Sequence, residues 1–189
     1  MPYVLLILSW FSYFAIHSFM ASIAVKEFFR KRLSKFHLYR LAYSTLSLFG
    51  LLGLLLLNAS ITAIAFIESK GLVRYISLML TTFGVLVVNA AFRQYKFSSF
   101  IGLREEDEVF STQGILNKVR HPIYSGTILI AVGFLLFSPN LPTLISVSCI
   151  FIYLSIGIRL EEKKLIQKFG NAYLEYKKRV PMLTPHIFK

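Results

Sequence analysis

The chain has 189 residues, 56% of them apolar, with 21 Lys and Arg against nine Asp and Glu for a net charge of +12. That is one domain's length with too little polar material to coat a soluble surface, and the charges fall in blocks between long uncharged runs, which predicts an all-α polytopic membrane protein occupying 1–189 as a single integral domain. One cysteine, Cys149, excludes an internal disulfide and a cysteine metal cluster; four scattered histidines are too few for a membrane di-iron centre, so no metal is expected, and the basic excess reads as membrane topology rather than nucleic-acid binding.

The first span is Tyr3 to Val25. No basic residue precedes it and a basic block follows it, so it reads as a retained span with an orientation signal rather than a cleavable signal peptide. His17 lies within it, between Ser12 and Ser18. An ionisable group inside a span is costly unless it is paired or faces a cavity, which leaves a substrate-facing role or an interhelical hydrogen bond. Leu41 to Ile67 and Tyr75 to Phe92 form the second and third spans, where Asn58 and Asn89 are expected to bond between helices. Arg93 to Val119 is polar enough to leave the membrane, and its acidic cluster Glu105-Glu106-Asp107-Glu108 reads as a solvated loop.

The uncharged run Pro122 to Ile158 is longer than one crossing of roughly 20 residues. Ser138-Pro139-Asn140-Leu141-Pro142 breaks it, which predicts a tight hairpin of a fourth span, Pro122–Phe137, and a fifth, Pro142–Ile158. Beyond it Leu165, Phe169, Tyr173 and Tyr176 share one helical face among lysines, the pattern of an amphipathic cytoplasmic helix. Pro181 ends that helix and Pro185 keeps the tail irregular. With five transmembrane helices the successive connections hold six, two, five, no and eight Lys and Arg, so nineteen gather on one side and two on the other. The positive-inside rule then places the N-terminus outside and the C-terminus in the cytoplasm.

Two clusters could carry chemistry. Pro122 suits the first turn of a helix, so Arg120 and His121 stand at its N-terminus, where free N–H groups and the helix dipole attract an anion; anchoring at the interface is the other reading. Gly126 and Gly133 lie seven residues apart on one face, which packs on the fifth span near Gly157 or admits a cofactor. Arg159-Leu160-Glu161-Glu162 ends the fifth span, with Arg159 and Glu162 spaced to pair on one face.

Val119-Arg120-His121-Pro122-x-Tyr124-x-Gly126, then Arg159-x-Glu161-Glu162-x-x-Leu165-x-x-x-Phe169-Gly170-x-x-Tyr173-x-x-Tyr176, Val180-Pro181 and Pro185, resembles the isoprenylcysteine carboxyl methyltransferase family, and the related phospholipid methyltransferases, over about the last 75 residues. The resemblance implies S-adenosylmethionine as methyl donor, bound on the cytoplasmic side within about 112–185 by Arg120, His121, Tyr124, Gly126 and Glu162, with Arg159 and Glu161 near the transfer centre. Leu116 departs from a tyrosine frequent at that position. His17-Ser18-x-Met20-Ala21-Ser22-x-x-Val25-Lys26 and Tyr39-Arg40-Leu41-x-Tyr43 are more similar to the branch of methanethiol S-methyltransferases and NnrU-like membrane proteins. That branch implies a small thiol acceptor, with the substrate side in about 1–100 and His17 lining it. The family implies a prokaryotic inner membrane, lipid contact, and a lipophilic or small thiol, or a carboxylate, as acceptor. An NADPH-dependent sterol-reductase-like enzyme and a non-catalytic NnrU-like protein are the alternatives.

Overall fold

The computed structural model describes residues 1–33, 36–94 and 112–185; the acidic cluster at 105–108 lies outside them. Among the described residues seven α-helices follow in chain order: α1 (Pro2–Ala21), α2 (Ile23–Arg32), α3 (Phe36–Ser60), α4 (Gly71–Gln94), α5 (Pro122–Phe137), α6 (Leu141–Phe169) and α7 (Asn171–Arg179), with a 3-10 turn at Gly114–Asn117 before α5. The described residues hold no strand beyond an isolated bridge between Ala65 and Asn140.

The bundle is apolar outside and partly polar within. Phe11, Phe49, Met79 and Ile152 stand out from their helices, while Ser77, Thr143 and Ser146 are fully buried. Lipid replaces water as the solvent of such a surface, so apolar side chains face outward and hydrogen-bonding groups are satisfied between helices. Among the described residues four helices, α1, α3, α4 and α6, are long and apolar enough to cross a membrane, and α5 is a shorter apolar helix. The chain is a polytopic integral membrane protein.

Two interfaces assemble it. In the first, Trp10 Nε1 donates to Ser146 Oγ at 2.9 Å, Ser146 Oγ donates to Asn58 Oδ1, and Asn58 Nδ2 donates to Thr143 Oγ1. This chain of bonds ties α1, α3 and α6 together, as expected for Asn58. Asn89 is exposed and makes no such bond with a described residue. In the second, α4 and α5 run antiparallel at close range. A Cβ on Gly126 would lie 2.6 Å from the Gly84 carbonyl oxygen, and one on Gly133 would lie 2.9 Å from that of Ser77. Ser77 Oγ donates to the Gly133 carbonyl at 3.0 Å. The glycine stripe of α5 therefore packs on α4, which corrects the expected packing on the fifth span.

Several boundaries move. The first span stops at Ala21, because Ser22 turns extended and its hydroxyl caps α2 by accepting from Val25 N–H. His17 thus lies one turn from the end of its helix rather than in mid-span. The second ends at Ser60 instead of Ile67: Phe66 N–H bonds the Pro139 carbonyl at 2.7 Å, so the apolar segment pairs with the hairpin tip instead of extending the helix. The tip itself falls as the prolines require, with Asn140 capping α6 through Thr143 N–H. Helix α6 runs straight on to Phe169. Gly170, at φ +54°, then breaks it, a conformation costly for any side chain, and α7 follows as a separate helix.

Candidate functional site

The 3-10 turn, the start of α5, the far end of α6 and α7 meet at one corner. Arg120 is at its centre and is buried. Its Nε and Nη2 donate to Glu162 Oε1 at 3.0 and 2.7 Å, and Nη1 donates to the carbonyls of Lys177 and Val180. Lys177 Nζ donates to Glu162 Oε2, and His121 Nε2 lies 3.4 Å from Oε1. Burial pushes the Glu162 carboxyl up, but the bonds from Lys177, Arg120 and His121 outweigh it and hold the group down at about 2. A carboxylate this well supplied with donors stays ionised although buried.

The C-terminal segment closes over the corner as a strap. Arg120 N–H donates to the Pro181 carbonyl at 2.9 Å, His121 N–H to that of Met182 at 3.1 Å, and Ser125 Oγ to that of Leu183 at 2.6 Å. Tyr176, packed with Tyr173 and Val180, donates its hydroxyl to the Leu116 carbonyl at 2.6 Å. Burial raises this phenol to about 12, against the pull of Arg120. The N–H groups of Arg120 and His121, expected to meet an anion, are spent on the strap, and the Arg120 guanidinium is spent on Glu162. Arg120 and Glu162 brace the corner from within.

What remains outward-facing is smaller. The Glu161 side chain is 42% exposed, with Oε2 3.7 Å from His121 Nδ1. Tyr124 crosses from α5 to α6: a Cβ on Gly157 would lie 3.2 Å from its hydroxyl, and the His121 and Tyr124 rings meet edge to face at 5.5 Å. Tyr153, Gly157 and Glu161 recur at four-residue steps and share one face of α6. Arg159 is exposed. Two positions from Glu161, it sits roughly 200° around the helix, so the structure does not bring the two together, and the expected pairing of Arg159 with Glu162 is replaced by Arg120 and Lys177.

A second polar cluster lies between α1, α3 and α6, near the end at which α1 stops. His17 Nδ1 is 3.1 Å from Ser47 Oγ and Nε2 is 3.0 Å from the Tyr43 hydroxyl. Tyr13 donates its hydroxyl to the Ser47 carbonyl at 3.1 Å. Tyr153 stacks on Phe14 at 4.0 Å, and its hydroxyl lies 3.1 Å from Ser18 Oγ. His17 also lines a groove of about 400 Å³ between α1 and α3. Sequence reading missed Tyr43, Ser47, Tyr153 and Lys177 as site residues. Tyr43 sat within a motif already singled out, whereas Lys177 looked like any lysine on a solvated face.

The comparisons with known proteins bear on both clusters. A family model described as NnrU protein matches residues 5–187. Methanethiol S-methyltransferase 1 of Bradyrhizobium diazoefficiens is 33% identical over 191 residues, covering 89% of this chain and 62% of that protein. Methanethiol S-methyltransferase of Crocosphaera subtropica is 38% identical over 80 residues, 42% of this chain and 31% of that one. Protein-S-isoprenylcysteine O-methyltransferase of Schizosaccharomyces pombe is 35% identical over 85 residues, 44% and 36% of the two chains. The chain spans less than two thirds of the length of these curated relatives. No solved structure matches it.

Proposed function

The chain belongs to the NnrU protein family, and on that footing we propose that it is a membrane-embedded methyltransferase that uses S-adenosylmethionine and acts on a small thiol or other lipophilic acceptor. The observation that carries this is the half-exposed Glu161 carboxylate beside His121 and Tyr124, standing over a brace whose Glu162 carboxylate is already paired with Arg120 and Lys177. The named activities of the relatives supply the reaction class.

The donor set fits the cofactor's chemistry. Glu161 offers an anion to its ammonium and sulfonium charges, and the Tyr124 and Tyr153 rings offer π faces that a cation prefers. When bound, the cofactor supplies an electrophilic methyl group for in-line displacement. The chain's own part is to hold and dehydrate. Glu162, Arg120 and Lys177 fix the end of α6 against the start of α5, so Glu161 and Tyr124 keep their relative positions, and orientation of this kind lowers a displacement barrier. The five-span topology, with this corner in the cytoplasm of a prokaryotic cell membrane, belongs to the same reading.

Titration of the purified chain by calorimetry separates the possibilities. S-adenosylmethionine and S-adenosylhomocysteine bind, and NADPH does not. Glu161→Gln weakens that binding roughly tenfold or more, on the scale of one charge-assisted hydrogen bond, with unchanged thermal stability; His121→Ala weakens it as well and also lowers the melting temperature, because its buried ring meets Glu162. Arg159→Ala changes it little. Binding of NADPH alone overturns the proposal.

A further inference from the structure

We propose that the groove between α1 and α3 is the methyl-acceptor site, that it takes a small neutral thiol, and that His17 removes the thiol proton. The proposal rests on the methyltransferase reading and assigns its second substrate to a place and a base. The groove is lined by Ser9, Ser12, Ile16, Ser47 and Leu54 among others, with His17 toward the end at which α1 stops, and none of the described residues that line it is an Asp, Glu, Lys or Arg. An ionised carboxylate has no counter-charge there, and burying one unpaired is prohibitive. A thiol crosses lipid uncharged and becomes a nucleophile only once deprotonated, so a thiol site in this position needs a base within it.

His17 is placed and oriented for that. One ring nitrogen meets the Tyr43 hydroxyl at 3.0 Å and the other meets Ser47, itself a groove residue, at 3.1 Å. With Nε2–H donated to the Tyr43 oxygen, the Nδ1 lone pair faces Ser47 and the groove; the bond on the far nitrogen sets the basic one. The titratable groups facing the ring are Tyr13 on its own helix, Tyr43 on α3 and Tyr153 on α6. Tyr153 also starts the face that continues through Gly157 to Glu161, about 12 Å further along α6 at 1.5 Å per residue. The His17 end of the groove therefore lies beside the α6 face that leads to Glu161.

The step balances. The thiol S–H bond breaks and its proton passes to His17 Nδ1. The sulfur's electron pair forms the bond to the methyl carbon as the carbon–sulfonium bond breaks, leaving that pair on the donor sulfur. The products are a methyl thioether and a demethylated donor, and the imidazolium then releases one proton. His17 is a catalytic residue here, and Tyr43 is a positioning residue that acts through it.

The test uses the full chain in lipid nanodiscs, with ¹⁵N-labelled histidine and methanethiol as probe. Methanethiol shifts the His17 imidazole resonances with or without S-adenosylmethionine, and Ser12→Phe, which fills the groove, abolishes the shift. His17→Gln keeps cofactor affinity, lowers methyl transfer to methanethiol on the order of 100-fold, and flattens the rise of rate with pH. Tyr43→Phe lowers the rate less and moves that rise. An S-prenylated N-acetylcysteine is not methylated on its carboxylate. A wild-type His17 signal that ignores methanethiol, a His17→Gln pH–rate profile that overlays the wild type, or carboxyl methylation without thiol methylation overturns the proposal. A chain that binds no S-adenosylmethionine yet shows the imidazole shift removes the methyl donor and leaves the thiol site standing.

Discussion

Glu161 and Glu162 are neighbours with opposite fates, and helix geometry is the reason. A step of about 100° around α6 turns Glu162 into the bundle, where Arg120, Lys177 and His121 meet it, and leaves Glu161 half in solvent. The two therefore respond differently to substitution. Glu162→Ala strands the buried Arg120 guanidinium and costs about 3–5 kcal/mol, the scale for breaking a buried ion pair; Glu161→Ala leaves stability near wild type. The pH dependence follows from the same contacts. The folded-state value of Glu162 is depressed, to about 2 from the ordinary 4.5, so the unfolded chain binds the proton first. The stability this group contributes is present above about pH 4.5 and is lost as pH falls from there toward 2. Thermal melts in detergent from pH 7 to pH 3 show that acid limb in the wild type, and Glu162→Gln reduces it. Sequence reading picked out Arg120, His121 and Glu162, because a His-Pro at a span start and paired acids at a span end are local patterns. It misassigned the partners, because the brace joins positions 42 residues apart and spacing along one helix reveals only local pairs.

At the scale of elements, the hairpin of α5 and α6 was legible to within one residue at its tip, the second helix starting at Leu141 rather than Pro142, since prolines and an asparagine act on the chain locally. The neighbour of α5 was not. Small residues mark a face that something approaches closely, but α4 and α6 both fit that description, and only three-dimensional packing selects α4. Gly126 tests this assignment. Its added Cβ meets Val88 Cγ2 at 2.5 Å and the Gly84 carbonyl oxygen at 2.6 Å. The valine can turn aside, but the backbone oxygen cannot move without parting the helices. Gly126→Ala is expected to destabilise by about 1–3 kcal/mol, the range for overpacking, read as a lower melting temperature, while cofactor affinity in the surviving folded fraction stays unchanged. Selective loss of cofactor binding at full stability would return Gly126 to the site. The early stop of α1 had a signal in Ser22, a good N-cap, which the unbroken apolar run concealed. That stop brings His17 within one turn of the helix end, where its ring meets Tyr153 edge to face at 6.2 Å.

For the whole molecule, the number of crossings decides which face the site serves, and α5 is the helix whose length falls short of a full crossing. Sixteen residues rise about 24 Å, against a hydrocarbon core of about 30 Å. Its neighbours make up the difference. The helix runs antiparallel to α4, from Gly126 beside Gly84 to Gly133 beside Ser77, and its tip pairs with the loop from which α4 starts, through the Ala65–Asn140 bridge and the Phe66 to Pro139 bond. A helix beginning near one end of α4 and finishing at the other crosses whatever α4 crosses, and the shortfall is within what local thinning or flanking residues absorb. The five crossings proposed above would carry nineteen of the 21 Lys and Arg to one side, and on that reading the positive-inside rule makes that side the cytoplasm. Single-cysteine labelling tests the arrangement in a Cys149→Ser background, using Glu68→Cys in the α3–α4 loop and Lys178→Cys on α7, whose native side chains are 79% and 71% exposed. A membrane-impermeant maleimide applied to intact cells labels Glu68→Cys and leaves Lys178→Cys unlabelled until lysis. Labelling of both from outside means an even number of crossings and turns the Arg120–Glu162 corner away from the cytoplasm, where S-adenosylmethionine could not reach it; labelling of Lys178→Cys alone keeps the five helices and inverts them, with the same consequence for the site.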